Sequence, residues 1–328
     1  MMKNNFFTPS AIAVLCAVFL LTACQKGAQH EGDCQDGIQN QGETGVDCGG
    51  PCAPCMTKRD SVIADYHAHY MGSEVADPGW TGKVDGCVAG TASQSTHDKV
   101  IMRLNYFRRL VGLNDNTTLD ASKFAQYQET ALMMKANNTL NHNPPNTWAC
   151  WTSLGASGAG TSNLASGTHS TGSITAFMRD AGGSNTAVGH RRWILHSKKM
   201  EFSYGTTNST MALGVIGVAN GNIQVPPFIA YPPDGYTPRT LVFPRWSFSV
   251  PGANFANAAV QMKNESGGDI TLTVVSKTDN GYGDNTIVWE PQGIITNSEN
   301  DVSYTVTVSG ITGAPQTSYT YTATVIKP

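Results

Sequence analysis

The sequence predicts an α+β protein in which a helical, loop-rich half is followed by an antiparallel β-sandwich. Helical periodicity is confined to the first half, alternating Thr- and Val-rich runs fill the last third, and the pair Pro232-Pro233 separates the two patterns. With 328 residues, of which 40% are hydrophobic and 14% charged, the chain is long enough for two folded domains and too apolar to be mostly disordered.

Residues 1–23 are predicted to be a signal peptide. Lys3 gives a short positive region, and the apolar run over residues 11–21 is too short to span a bilayer. This run ends in Leu-Thr-Ala-Cys24, a string that resembles a bacterial lipobox. Cys24 is therefore the expected lipid anchor, with an ordinary secretory signal as the alternative. The resemblance implies a membrane-anchored protein of the bacterial cell envelope, either periplasmic or exposed on the surface.

The charge balance excludes nucleic acid as an expected partner. The chain has 21 basic and 24 acidic residues, which gives a formal net charge of −3. It therefore has no positive excess with which to neutralise a phosphate backbone. The expected partners are a membrane, through the N-terminal lipid, and an unidentified extracellular ligand.

Six of the eight cysteines remain once Cys16 leaves with the signal peptide and Cys24 is lipidated. An even remainder in an exported chain predicts three disulfides. Cys87 and Cys150 are predicted to pair with each other. The other four lie in a Cys-rich linker over residues 24–56, where their connectivity stays open and zinc bound to the thiolates is the alternative. These four are Cys34, Cys48, Cys52 and Cys55.

The elements of the helical half follow in order. Residues 57–96 lack a clear pattern and are predicted to be a connecting segment. An apolar stripe then predicts a helix that ends at Gly112, and a second helix is predicted from Asp120 to about Asn137. The Gly- and Ser-rich stretch 154–172 is predicted to be a loop. The stripe consists of Val100, Leu104, Phe107 and Val111.

Beyond the two prolines, residues 236–328 are predicted to form an all-β domain. Short alternating runs are separated by turn residues such as Asn280-Gly281. This pattern indicates an antiparallel sandwich of immunoglobulin-like type, with Trp246 and Trp289 as its core anchors. The runs lie at 259–262, 270–275, 286–290, 303–309 and 318–326.

Four short strings in the helical half carry a resemblance to a known family. Their order and spacing resemble the CAP superfamily, the group of cysteine-rich secretory proteins, venom antigens and plant pathogenesis-related proteins, in its bacterial SCP-like branch. The match spans residues 97–232 and implies a three-layer α-β-α sandwich. The strings are Leu-Asn-Tyr-Phe-Arg at 104–108, Leu-Asn-His at 140–142, Asn-Leu-Ala at 163–165 and Val-Gly-His-Arg-Arg-Trp-Ile-Leu at 188–195.

The resemblance also implies a cleft, in which two histidines and two acidic residues of the family can hold a divalent metal. The histidines map onto His142 and His190. Ser162 stands where the family has its first carboxylate, and Asp180 is a candidate for the second. A catalytic zinc takes three protein ligands, so a divalent metal such as zinc is expected to bind only weakly here. The expected supports of the cleft and its loops are Asn105, Asn163 and Arg191.

Three hypotheses about function follow. The leading one is a cleft that binds an extracellular lipid, glycan or protein without catalysis. The second is a metal-assisted or Ser/His hydrolase, for which the catalytic candidates are His142, His190, Asp180 and Ser162. The third is a structural or adhesive role of the β-domain. The chain has neither the G-x-S-x-G nor the H-E-x-x-H string that would indicate a particular hydrolase, and two histidines that merely hold loops together are the non-functional alternative.

Overall fold

The structure, a computed structural model, describes Cys34, residues 37–40 and residues 42–328. The predicted signal peptide, residues 1–23, and the predicted lipid anchor, Cys24, lie outside the described residues. The chain divides into two units, which meet in sequence between Cys55 and Met56. In the part of the chain that the structure describes, no helix is both long and apolar enough to cross a bilayer.

The first unit is held by two disulfides. Cys34 is bonded to Cys52, and Cys48 to Cys55. Ligand-type atoms of Cys34, Glu43 and Cys52 do lie within 4.8 Å of one another, but the two sulfurs are bonded to each other and offer no thiolate. Zinc bound to the four linker cysteines is therefore wrong. The predicted number of three disulfides is confirmed, because Cys87 and Cys150 form the third in the second unit. Such bonds persist in oxidising compartments, which fits an exported chain.

The second unit contains helices and sheets, so the α+β class is confirmed. Its α-helices are, in order, α1 (Lys58–Asp65), α2 (Gln94–Leu110), α3 (Phe124–Asn137), α4 (Ser153–Ala159), α5 (Ser170–Arg179) and α6 (Gly189–Ile194). The first four strands are β1 (Thr118–Leu119), β2 (Ser162–Ser166), β3 (Glu201–Thr206) and β4 (Thr210–Gly214). The others are β5 (Ile229–Tyr231), β6 (Gly235–Pro238), β7 (Trp246–Ser249), β8 (Ala259–Asn264), β9 (Leu272–Ser276), β10 (Thr286–Pro291), β11 (Val302–Ser309) and β12 (Ser318–Ile326).

The first sheet has the strand order β1-β3-β4-β2. Its pairs are antiparallel except β1 with β3. Successive side chains along each strand point to opposite faces of the sheet, and helices pack against both faces. Met211 and Leu213 pack in one core with residues of α2 and α5, whereas Ala212 packs in another with residues of α3 and α4.

The last third of the chain forms two further four-stranded sheets, with the orders β5-β7-β10-β9 and β6-β12-β11-β8. Both contribute to one hydrophobic core, in which Trp246 and Trp289 are completely buried, as predicted. The β5 strand, at 229–231, pairs with β7. The predicted boundary at residue 232 assigns this strand to the helical half, but it belongs to a sheet of the β-half, and the two halves share structure across that boundary.

Two segments differ from the sequence expectations. Residues 57–96, predicted as a connector, begin with α1, which Thr57 and Asp60 open with a reciprocal capping box. The stretch 154–172 is not a loop, because it contains α4 and β2. Its glycines serve close packing: a Cβ added at Gly158 would lie 2.3 Å from Thr130 Oγ1 on α3, so only glycine allows the two helices to approach this closely.

Candidate functional site

A cavity of about 340 Å³ brings together the histidines that the resemblance singled out. His142 follows α3, His190 is the second residue of α6, and Ser162 and Asn163 begin β2. The two histidines are 48 positions apart in sequence (190 minus 142), and both line this one cavity. We call it the histidine cleft.

His142 is fixed by the end of α4. Its Nδ1 lies 2.8 Å from the backbone carbonyl oxygen of Ala159. A carbonyl oxygen can only accept, so this hydrogen bond places a proton on Nδ1, and in the neutral ring it leaves a lone pair on Nε2. Among the described residues, no hydrogen bond engages that Nε2.

His190 is fixed by a carboxylate. Its Nδ1 lies 2.7 Å from Oδ1 of Asp180, and its backbone amide donates to Oδ2 at 2.9 Å. Asp180 is 2% exposed and does not line the cleft, so it lies behind His190 and orients it. A buried carboxylate that accepts from Nδ1 holds the ring in one tautomer, with the Nε2 lone pair directed away from it. The Asp180 carboxylate also accepts from an amide at the N-terminus of α6, where the helix favours negative charge.

Ser162 and Asn163 complete this wall of the cleft. The Ser162 hydroxyl is buried and has no hydrogen-bond partner in the described part of the chain. The Asn163 side-chain amide donates to the carbonyl of His190 at 3.1 Å, which fastens β2 to α6. A buried hydroxyl without a partner is costly, and here it lines the cavity that a ligand would enter.

Two expected supports do not line the cleft. Asn105 instead ties α2 to the segment before β1, because its side chain donates to the Thr117 carbonyl and accepts from the Thr117 amide. Arg191 is completely buried and turns toward the β-half, where it donates to the carbonyl of Arg245 at 2.9 Å. Its guanidinium also lies over the ring of Tyr231, 4.8 Å from the centroid. Its role is to join the two halves.

The β-half supplies one wall of the cleft, which the sequence did not indicate. Gly281 and Tyr282, in the loop between β9 and β10, line the cavity. The loop is held down by Asp284, whose carboxylate accepts from the Ser197 amide at 2.7 Å and from the Ser197 hydroxyl at 3.0 Å. Asn280-Gly281 signals a turn in the sequence, but no local pattern places that turn against a histidine more than 90 positions earlier.

A buried lysine supports the wall of the cleft at Val215. Nζ of Lys199 donates to the carbonyl of Val215 at 2.8 Å, and Val215 lines the cleft. Burial lowers the pKa of Lys199 to about 8, because the ammonium loses its hydration. In the unfolded chain the pKa returns to about 10.4.

This pKa difference predicts a pH-dependent stability. Between pH 8 and pH 10 the unfolded chain binds more protons at Lys199 than the folded chain does, so the free energy of unfolding rises with pH. From pH 7 to pH 10, we expect the free energy of unfolding of the wild type to rise by about 2 kcal/mol relative to that of Lys199→Met. Urea denaturation across this range measures it, with Lys198→Met as the matched control. Parallel curves for the wild type and Lys199→Met would contradict the expectation.

The cleft offers few metal ligands. Among the described residues, three ligand-type side chains come within reach of one ion at Cys34, Glu43 and Cys52, where the two cysteines form a disulfide. Neither cleft histidine belongs to this group. The cleft therefore presents two imidazole nitrogens and a neutral hydroxyl, fewer strong ligands than structural or catalytic zinc sites use.

Comparisons with protein-family models, with curated proteins and with solved structures find no match for this chain.

Proposed function

We propose that this chain is an exported, lipid-anchored protein of the CAP superfamily whose histidine cleft binds an extracellular ligand without turning it over. The proposal combines the resemblance of residues 97–232 with the arrangement of the cleft. A sheet covered by helices on both faces is compatible with the family's three-layer sandwich. Two four-stranded sheets around one core, to which β5 at 229–231 also contributes, are likewise compatible with the immunoglobulin-like domain expected over residues 236–328.

One observation carries the binding proposal. Both imidazoles have Nδ1 committed to an oxygen acceptor, the Ala159 carbonyl for His142 and the Asp180 carboxylate for His190. In the neutral form of each ring, Nε2 is therefore the acceptor. Two preoriented acceptors and the unpaired hydroxyl of Ser162 in one cavity form a polar recognition surface.

A divalent ion fits this surface as a weakly held component. His142 and His190 would hold it through Nε2, and the Asp180 carboxylate behind His190 is the kind of partner that histidine ligands of metals have. Such an ion would offer open coordination positions to an oxygen of the bound ligand. With two strong protein ligands the ion is exchangeable, which suits a binding site better than a resident catalytic centre.

Zinc titration of the full-length protein by calorimetry tests the proposal. We expect one weak site per chain, and about a tenfold or greater loss of affinity in both His142→Ala and His190→Ala, because each removes one of two ligands. His67→Ala is the matched control, since His67 is exposed and does not line the cleft. Equal zinc affinity in the double variant and the wild type would refute the site.

A hydrolase is the second candidate, because the Asp180–His190 pair beside Ser162 has the elements of a nucleophile and base arrangement. The Ser162 hydroxyl is not hydrogen-bonded to His190, so the pair would have to approach on substrate binding. Hydrolysis of p-nitrophenyl esters that is lost in both Ser162→Ala and His190→Ala would favour this function over binding alone. If hydrolysis is lost in His190→Ala alone and abolished by a chelator, it would favour the metal-assisted form.

A further inference from the structure

A second cavity lies beside the disulfide between Cys87 and Cys150, and shares no lining residue with the histidine cleft. Its volume of about 520 Å³ is in the range of small-molecule sites. Two indole rings are its largest lining groups, so we call it the tryptophan cavity. Its lining residues are Cys87, Ala89, Glu129, Leu132, Asn146, Trp148, Cys150, Trp151 and Thr152.

The two indoles are partly buried and partly available. Trp148 and Trp151 pack on one side against the core between α3, α4 and the first sheet, and they line the cavity on the other. The Trp151 ring is oriented by its Nε1, which donates to the carbonyl of Pro144 at 3.2 Å. Tryptophan is enriched at binding surfaces, because its ring buries a large apolar area while its N–H stays hydrogen-bonded, so two that line one cavity are suited to recognition.

The segment that carries the indoles is held rigid although it is irregular. The side chain of Asn137 accepts from the Ala149 amide at 3.1 Å and donates to the Ala149 carbonyl at 2.9 Å. The disulfide fixes Cys150 to Cys87. The Thr152 hydroxyl donates to the Glu129 carboxylate at 2.5 Å. A surface fixed from three sides loses little conformational entropy when a ligand binds.

Polar groups converge on the same cavity. The Glu129 carboxylate has acceptor capacity beyond its bond to Thr152, and the exposed Asn146 amide can both donate and accept. Among the residues that the structure describes, no lysine or arginine lines the cavity, so an anionic ligand would face Glu129 without a compensating charge.

From this combination we propose that the tryptophan cavity binds a neutral oligosaccharide. A sugar ring has apolar C–H faces, which pack on an indole, and hydroxyl groups at its edge, which need both donors and acceptors. The cavity supplies the first with Trp148 and Trp151, and the second with the carboxylate of Glu129 and the amide of Asn146. This site is separate from the proposed cleft function and does not depend on it.

The chemistry also distinguishes a sugar from a quaternary ammonium ion, which aromatic cages bind by cation–π contact. A quaternary ammonium group has no hydrogen-bonding atoms, so the amide of Asn146 would gain nothing from it. A sugar uses this amide. Choline, which carries the ammonium group without an anionic phosphate, is therefore the competing probe in the test.

The test measures binding of cellotriose, chitotriose and mannotriose to the full-length protein by calorimetry and by tryptophan fluorescence. We expect at least one trisaccharide to bind, with about tenfold lower affinity in Trp148→Ala and in Trp151→Ala. Asn146→Ala, at an exposed position, should lower it about fivefold through one lost hydrogen bond. This Asn146→Ala variant keeps the test decisive if the tryptophan variants fail to fold.

The matched control is Trp193→Ala, because Trp193 lines the histidine cleft and not the tryptophan cavity. Unchanged trisaccharide affinity in Trp193→Ala and in His142→Ala supports the proposal. Three results would overturn it: no binding of any of the three trisaccharides, binding that depends on Trp193 or His142 instead of Asn146, or a preference for choline that depends on Trp148 and Trp151.

Discussion

Trp246→Ala is expected to lower the free energy of unfolding by about 4 kcal/mol, which corresponds to a fall in Tm of roughly 10 °C. Trp246 on β7 is completely buried, and its ring meets Tyr304, on the opposite sheet, edge to face at 6.0 Å. Truncation therefore leaves a large cavity between two sheets that no disulfide ties together in the described residues. Thermal denaturation followed by circular dichroism measures the change.

Trp193→Ala is the control for this variant. Trp193 is only partly buried and packs at the margin of a core, so its removal leaves a smaller cavity and costs less. Equal losses in the two variants would show that the interior of the β-half is not where the stability of the chain is concentrated. That result would contradict the packing described for the two sheets.

Asp180→Asn is expected to lower the zinc affinity of the histidine cleft by about 10- to 100-fold, the usual effect of removing the partner of a histidine ligand. The amide of asparagine can donate to Nδ1 of His190, which would move the ring proton to Nε2 and remove the lone pair from the cleft. Calorimetric zinc titration measures the loss.

Glu290→Gln is the matched control, because Glu290 also pairs with a basic group, Arg245 at 2.9 Å, yet it does not line the cleft. Its zinc affinity should equal that of the wild type. An Asp180→Asn protein with wild-type affinity would contradict the role of Asp180 as a positioning residue, even if both histidines still bind zinc.

Elements with an apolar period could be predicted from the sequence. The stripe at Val100, Leu104 and Phe107 lies in α2 and is completely buried, and alternation placed the strands of the β-half. The start of this helix has no such pattern: Ser93 caps α2, and its side chain accepts from the amide of Thr96.

Elements without such a period could not be predicted. No residue of α1 is buried, so this helix has no apolar stripe to detect and depends on its capping box. In α4 the glycines at 155 and 158 weaken helix propensity, and their reason, the close approach to α3, becomes visible only in three dimensions.

The candidate site shows the same division. The sequence singled out His142 and His190 through a family resemblance, and the structure places both at one cavity. Asp180 was a candidate from the same resemblance, and the structure places it behind His190 and not in the cleft. The contribution of Tyr282 depends on contacts between distant segments, about which local patterns carry no information. The disulfide between Cys87 and Cys150 followed from the loss of two cysteines with the signal and lipid anchor and from the clustering of four others.

The clamp between Asp284 and Ser197 bears on how this protein can be divided. A chain cut near the two prolines would lose Tyr282 from the rim of the cleft. It would also leave the Ser197 amide without its acceptor on Asp284, and Nη1 of Arg191 without its acceptors on Arg245 and Ser247. The two histidines would then line a cleft that has lost one wall, beside apolar surface newly exposed to water. If the truncated chain no longer binds its ligand, the loss would therefore reflect damage to the cleft. It would not show that the ligand binds to the β-sheets.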